Sequence, residues 1–330
     1  PRYWVEEREV LARIADAPKA VIKAWRTSDI VELRKALLGP GIPRQVAALA
    51  DSSDLLAAVG AWLEAKSPRW LMGWRDITNA TNERTVIASV LPRAGVGHKL
   101  PLFVTSKKEY LRACKLANMN CLAFDFIART KLGGTDLTYS YLKQLPVLSP
   151  EAYSPNDLAF IIPRVFALTY TAYDIAGWAE DLWNSLDTNI RARVYRRSQL
   201  EDNYYRRMSE PEIHQRGIAQ DEAAAPQEPF YLPDSFFDRS FSTEFFPPFP
   251  WSPERRAVIR AELDAYYARL YGLDRDELRY ILDPRDVMGK DYPSETFRVL
   301  KNNELKAYGE YRTQRLVLAA WDALEKGELT

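Results

Sequence analysis

Apolar positions return every three or four residues near the start of the chain. Leu11, Ile14, Val21, Ile22 and Trp25 line one side of residues 6–38, which predicts a helical region in two parts divided near Pro18. Gly39-Pro40-Gly41 stops it. Leu55, Leu56, Val59, Trp62 and Leu63 mark a second amphipathic helix, closed by Pro68. From Trp70 to Phe103 the runs become short and extended. Thr85 to Leu91 is rich in β-branched residues and almost continuously apolar, so it reads as a central strand rather than an edge. Helical spacing resumes from Tyr110 to Ala128 through Leu111, Leu116, Met119, Leu122, Phe126 and Ile127, which predicts one largely buried helix. Lys131 to Leu148 then reads as a structured loop that enters a short strand at Gln144-Leu145-Pro146-Val147.

The second half is helical apart from one stretch. Residues 159–188 hold helices containing Tyr170, Tyr173, Trp178, Leu182 and Trp183. Residues 217–250 show no steady period and read as an irregular connection, although Phe245, Phe246, Phe249 and Trp251 are apolar enough to pack back on a domain. Beyond them, Ser252 before Pro253 opens a helix that runs to Gly272, and Asp274 with Glu277 forms a capping-box pattern for a helix through Leu282. Ser294 is placed to cap a helix carrying Phe297, Leu300 and Leu305, and Tyr311, Leu318, Trp321 and Leu324 mark the last one. The expected fold class is therefore a mixed α/β unit over 1–150, a helical extension with an irregular connection over 151–250, and a helical region over 251–330.

Composition narrows the function classes. Across 330 residues, 45 Lys and Arg balance 45 Asp and Glu, which excludes a uniformly basic nucleic-acid coat but leaves room for a local basic face. Cys114 and Cys121 sit among residues that suit burial and read as core thiols. With only His98 and His214 beside them, no Cys/His cluster has metal-ligand spacing. No apolar run has the length of a membrane span and no signal-peptide pattern opens the chain, so a soluble cytoplasmic protein without membrane partners is expected. Pro1 in place of an initiator methionine is expected either of a piece of something larger or of methionine removal before proline. No G-x-S-x-G elbow, H-E-x-x-H helix or supported Ser/His/Asp arrangement is present.

Four clusters carry possible binding chemistry. Arg75, Asn79, Asn82 and Arg84 can form bidentate contacts to base edges, while a polar turn with Asp76, Asn79 and Asn82 bonding to backbone is the alternative. Arg93, His98 and Lys99 around Gly95 and Gly97 form a basic glycine loop that suits phosphate but matches neither the P-loop nor the dinucleotide fingerprint. Arg129, Lys131, Gly133, Gly134, Thr135, Tyr139, Tyr141, Lys143 and Gln144 mix cations, hydroxyls and rings as a backbone-positioning loop does, or as a packed loop does. Finally, Arg191, Arg193, Arg196, Arg197, Arg206 and Arg207, interleaved with tyrosines, suit either a phosphate track or a solvated helix face.

Several blocks occur together in an informative order: Trp70 to Thr78, Thr81 to Ala88, Leu91-Pro-Arg93 with Val96-Gly97, Phe124 to Arg129 with Gly133-Gly134-Thr135, and Lys143-Gln-Leu-Pro146. Glu262 to Ala265, Arg269 to Leu273, Asp276 to Pro284, Glu295 to Leu300 and Gly309 to Thr313 follow. This order resembles the C-terminal target-recognition part of large adenine-specific DNA methyltransferases of restriction-modification and phage-defence systems, similar to fused endonuclease-methylases. The resemblance touches most of the chain outside about 190–250. That family's S-adenosylmethionine pocket and its Asn/Asp-Pro-Pro-Tyr/Phe motif do not occur in this sequence. The resemblance therefore implies a DNA-specificity portion without catalytic residues or a cofactor of its own. It would partner duplex DNA, the parent's methyltransferase domain and restriction or defence subunits. Arg75, Asn79, Asn82, Arg84, Arg93, Lys99, Arg129, Lys131, Thr135, Lys143 and Gln144 are the implied DNA contacts, with the arginine run as a second phosphate track. The competing expectation is a protein-interaction module that uses Trp62, Trp70, Trp74, Trp178 and Trp183 as an interface.

Overall fold

A computed structural model of the chain describes residues 5–200, 240–293 and 296–329. Arg206, Arg207 and the Ser294 cap lie outside the described residues, as does most of the irregular connection. The chain divides into two compact units, Pro1–Leu71 with Leu91–His98, and Met72–Val90 with Lys99–Thr330.

The first unit holds α1 (Glu7–Ile14), α2 (Lys19–Arg26), α3 (Ile30–Leu37), α4 (Arg44–Ala47) and α5 (Leu55–Ala65). Their apolar faces meet in a core that contains Leu11, Val21, Trp25, Leu33, Leu37, Val59 and Leu63. Pro18 divides the first two helices as expected. A second break follows at Thr27–Asp29, because the Asp29 carboxylate accepts the Glu32 N–H and restarts the helix, while Ser28 turns at φ 56°. The three helices of 6–38 thus replace the expected two.

Strands β1 (Trp70–Trp74) and β2 (Ala88–Pro92) form a two-stranded sheet, and the two units divide within both strands. A central strand over Thr85–Leu91 is not what forms. Thr85 to Ile87 are irregular, and β2 shows the alternating exposure of a half-buried strand rather than burial on both faces. Gly73 is required here, since a Cβ at that position would stand 2.4 Å from the Pro101 carbonyl oxygen.

The second unit continues with α6 (Glu109–Asn120), α7 (Leu122–Lys131) and α8 (Tyr139–Leu142). The single helix expected over 110–128 is broken at Cys121, which is extended at φ −78° and ψ 153°. One extended residue barely disturbs the apolar period, so the spacing alone does not register the break. The short strand expected at 144–147 is also absent, and that segment is a turn around buried Leu145. α9 (Pro155–Thr169) then packs against α6, α11 (Thr188–Leu200) and α12 (Pro253–Leu270), while α10 (Ala176–Ser185) packs on α6. Phe166, Tyr170, Trp178 and Trp183 are buried, and Phe246 and Phe249 return onto them as expected, with the Phe249 N–H donating to the Tyr170 carbonyl at 2.8 Å. Trp251 does not join this core. It is 65% exposed, with Arg256 stacked on its ring.

Ser252 and the Asp274/Glu277 capping box start α12 and α13 (Arg275–Leu282) as the sequence predicts. α14 (Pro284–Met288), α15 (Arg298–Tyr308) and α16 (Arg312–Lys326) complete the described helices. The described fold is thus mostly helical, and its sheet has two strands. No described helix is long and apolar enough to cross a membrane.

The two cysteines are buried free thiols. Burial, reinforced by the negative charge of Asp264, pushes the Cys121 thiol up to about 12, and burial raises Cys114 as well. The reactive thiolate is therefore suppressed in the folded chain. A thiol reagent at pH 8 is expected to modify less than about one tenth of either cysteine before unfolding and both after it. Rapid reaction of the folded chain would contradict the packing around α6 and α7.

Candidate nucleic-acid interface

The loop that leaves β1 is built into the fold by two carboxylates. On α7, Asp125 and Arg129 stand four residues apart and pair at 3.0 Å. Asp125 also accepts the Thr85 N–H at 2.9 Å and the Val86 N–H at 2.6 Å. Arg129 then donates to the carbonyls of Ala80, Asn82, Glu83 and Thr296, all between 2.8 and 3.0 Å. Burial pulls its pKa down, although the Asp125 charge opposes that. With five N–H donors committed in this way, Arg129 has none left for a phosphate, and its expected DNA contact is corrected to a clamp on the 80–83 loop. The Thr81–Ala88 and Phe124–Arg129 blocks are each other's structural partners.

Arg84 is likewise tied inward. It reaches the Asn120 carbonyl and pairs with buried Asp264 at 3.3 Å, while Asp264 also accepts the Leu122 N–H at 2.7 Å and so caps α7 from α12. Burial opposes the charge on Arg84, but Asp264 and then Asp125 more than offset it, and the pKa lies above its usual value. Burial holds the Asp264 carboxyl above its usual range. Arg84 therefore serves the fold first, rather than an open groove.

Arg75, Lys99 and Thr135 fall at one loop junction. The Thr78 N–H donates to the Thr135 carbonyl and the Leu137 N–H to the Asp76 carbonyl, both at 2.8 Å, with an antiparallel bridge between Ile77 and Asp136. These bonds join the 75–78 loop to the 135–137 loop. Lys99 closes the junction by donating to Asp136 at 2.5 Å and to Asp76 at 3.3 Å, and the hydrogen bond to Asp136 is the main cause of its raised pKa. Its charge is thus balanced by two carboxylates. Arg75, Lys131, Thr135, Lys143 and Gln144 are exposed. Gly133 and Gly134 have open space where a side chain would stand, so a ligand backbone could approach closely there. The Asn79 side-chain oxygen accepts from the Thr81 N–H and hydroxyl in an exposed turn, and Asn82 is half-buried.

Arg93 belongs to the first unit, where it bridges Glu7 and Glu64. The arginine run divides by role. Arg191 donates to the Trp183 and Asn184 carbonyls at the end of α10, and Arg197 pairs with buried Glu262 at 3.2 Å, whereas Arg193 and Arg196 are exposed. A continuous phosphate track is therefore corrected, for the described residues, to two outward cations. The tryptophan interface is corrected as well, because Trp70, Trp74, Trp178 and Trp183 are buried in the fold and Trp62 packs, partly buried, on the core of the first unit.

Sequence reasoning did not single out Asp125, Asp136 or Asp264. The Asp125–Arg129 spacing was a readable signal, while the others depend on contacts far apart in the chain. Comparison with known proteins finds no matching family model, no matching curated protein and no matching solved structure.

Proposed function

We propose that this chain is the sequence-specific DNA-recognition portion of an adenine-N6 DNA methyltransferase, fused to or partnered with a restriction endonuclease. Its role would be to position duplex DNA for a catalytic domain whose motifs lie outside this sequence. The observation that carries the reading is the hydrogen-bonded junction of the 75–78 and 135–137 loops. Both loops contain residues of the blocks that resemble the family, Arg75 is exposed at one end of the junction, and exposed Lys131 and Thr135 flank the open Gly133-Gly134 backbone toward the other. Arginine suits guanine edges, lysine suits phosphates, and glycine lets a backbone approach. In the parent enzyme, S-adenosylmethionine would supply the methyl group to an adenine turned out of the duplex. This chain would select which adenine is presented.

The test is salt-dependent binding of the chain to random-sequence duplex DNA, compared with a variant carrying Arg75→Gln, Lys131→Gln and Lys143→Gln. Each lost phosphate contact is expected to reduce the steepness of log affinity against log salt by about 0.9, or roughly 2 to 3 for the triple variant. A folded chain that binds no duplex at low salt would defeat the proposal, as would a triple variant with unchanged slope and affinity.

A further inference from the structure

Every residue from Phe246 to Pro250 either is a proline or precedes one. Proline holds its own φ near about −65° and pushes the residue before it out of the helical region, so this run has the sequence of a polyproline II turn. In the structure, residues 247–252 lie outside helix and strand. A polyproline II segment turns once every three residues, and the burial follows that period. Phe246 and Phe249 face inward at 1% and 3% exposed, Pro247 and Pro250 are exposed, and half-buried Pro248 is followed three positions on by exposed Trp251. One edge of the prism is buried and two look outward.

The buried edge is fixed at several points. Phe246 and Phe249 pack on the Phe166 ring at centroid distances of 5.3 and 6.2 Å, and the Tyr170 hydroxyl donates to the Phe246 carbonyl at 3.2 Å. From the first turn of α12, Arg255 donates to the Pro250 carbonyl at 2.9 Å. The segment is therefore held in shape by its own fold, and docking would not have to order it. On the outward side the Arg256 guanidinium lies 3.8 Å from the centre of the Trp251 ring and covers one of its faces. Arg256 also donates to the Leu168 carbonyl at 2.7 Å, and among the described residues it forms no ion pair. Burial, and then the like charges of Arg260 and Arg255, pull its pKa down to about 10. The outward edges thus end in a cation that lacks an opposing charge.

We infer that residues 246–251 form a preset polyproline II ridge that docks into the aromatic-lined groove of a partner protein, with a carboxylate of that groove meeting Arg256. A three-edged prism lying in a groove offers two edges to the walls and keeps the third outside. Here the third edge is the one the fold already holds. Pro247 and Pro250 have the spacing that such grooves read, and Trp251 adds a large, rigid contact of the kind that dominates interfaces. The unopposed charge at Arg256 calls for an acidic rim at that end. Trp251 could also stack on a nucleic-acid base, but the proline edge beside it offers no N–H to a phosphate, which favours a protein groove. The inference does not depend on the proposed DNA recognition.

Titration of an isotope-labelled WW domain and a labelled Src-homology-3 domain with the 330-residue chain, followed by NMR, tests it. Saturable shifts in the groove of at least one domain are expected, and they should vanish when a groove aromatic of that domain is replaced by alanine. A chain carrying Pro247→Ala with Pro250→Ala, and separately one carrying Trp251→Ala, should bind at least about tenfold more weakly. Arg256→Gln should flatten the salt dependence of binding. Thermal melting checks that each variant folds, and the exposed Trp251 reads the ridge even if the proline changes disturb the segment. No saturable binding to either domain would overturn the inference, and so would an affinity unchanged by Trp251→Ala. Oligothymidine supplies the last arm. Its displacement of the bound domain would assign the ridge to nucleic acid and overturn the protein groove, while a domain retained in its presence would support it.

Discussion

Replacing Asp125 by alanine is expected to lower the unfolding free energy by about 3–5 kcal/mol, the range seen when one partner of a buried ion pair is removed. The Asp125 side chain is 1% exposed and its partner Arg129 is 5% exposed. Truncation would strand the guanidinium and also leave the Thr85 and Val86 N–H groups without their acceptor. Asp125→Asn keeps the shape and one acceptor oxygen, so a smaller loss is expected from it. Urea denaturation with the slope held in common would measure both. A loss below about 1 kcal/mol for the alanine variant would mean that the carboxylate does not hold the 79–86 loop as the structure indicates. The same variant should weaken any DNA binding that uses Arg75, because the Arg75 N–H bonds to the Ile87 carbonyl beside the clamped residues.

Glu262→Ala is expected to have a comparable effect, about 3–5 kcal/mol, for a related reason. From α12 its carboxylate meets Arg164 of α9 at 2.6 Å and Arg197 of α11 at 3.2 Å, and both Glu262 and Arg164 are nearly inaccessible to solvent. Arg164 would retain its bond to the Phe160 carbonyl at 2.9 Å and its stacking on the Phe160 ring. These contacts satisfy N–H groups and a face of the cation but supply no opposing charge. Chemical denaturation of Glu262→Ala and Glu262→Gln should show the alanine variant as the less stable, since glutamine can still accept a hydrogen bond. Equal stability of wild type and both variants would exclude a central role for this carboxylate. Because Arg197 ends in this pair, its replacement should act on stability more than on any salt-dependent DNA affinity, whereas exposed Arg193 and Arg196 should do the reverse.

Both predictions concern charged residues within stretches that the sequence marks as helical, and they show where local reading stops. Ser252, the Asp274/Glu277 pair and the apolar faces of α5, α12, α13 and α16 were legible because capping and amphipathicity act between residues up to about four positions apart. The Asp125–Arg129 pair lies within that range too, but its purpose does not, since the carbonyls it organises are 46 to 167 positions from Arg129. Burial of the cysteines and the return of Phe246 and Phe249 followed from residue type alone.

The candidate site was legible in part for the same reason. Residue chemistry marked Arg75, Lys131, Thr135 and the glycine pair, and the junction between their loops places them in one region of the fold. The same chemistry marked Arg84, Arg93, Arg129, Arg191 and Arg197 with equal force. An arginine that grips backbone carbonyls and one that waits for a phosphate have the same side chain, and only their surroundings differ.

By itself, then, the sequence determined most of the helical stretches, the caps at Ser252 and Asp274 and many of the residues destined for the core, because each depends on local spacing or on transfer from water. The tertiary structure decided the break at Cys121, the loss of a central strand and the partner of every buried charge. Those outcomes depend on contacts such as Arg84 with Asp264, 180 positions apart. A chain commits to such a pairing only when folding brings both groups out of water together, where the cost of burying each charge is offset by the other.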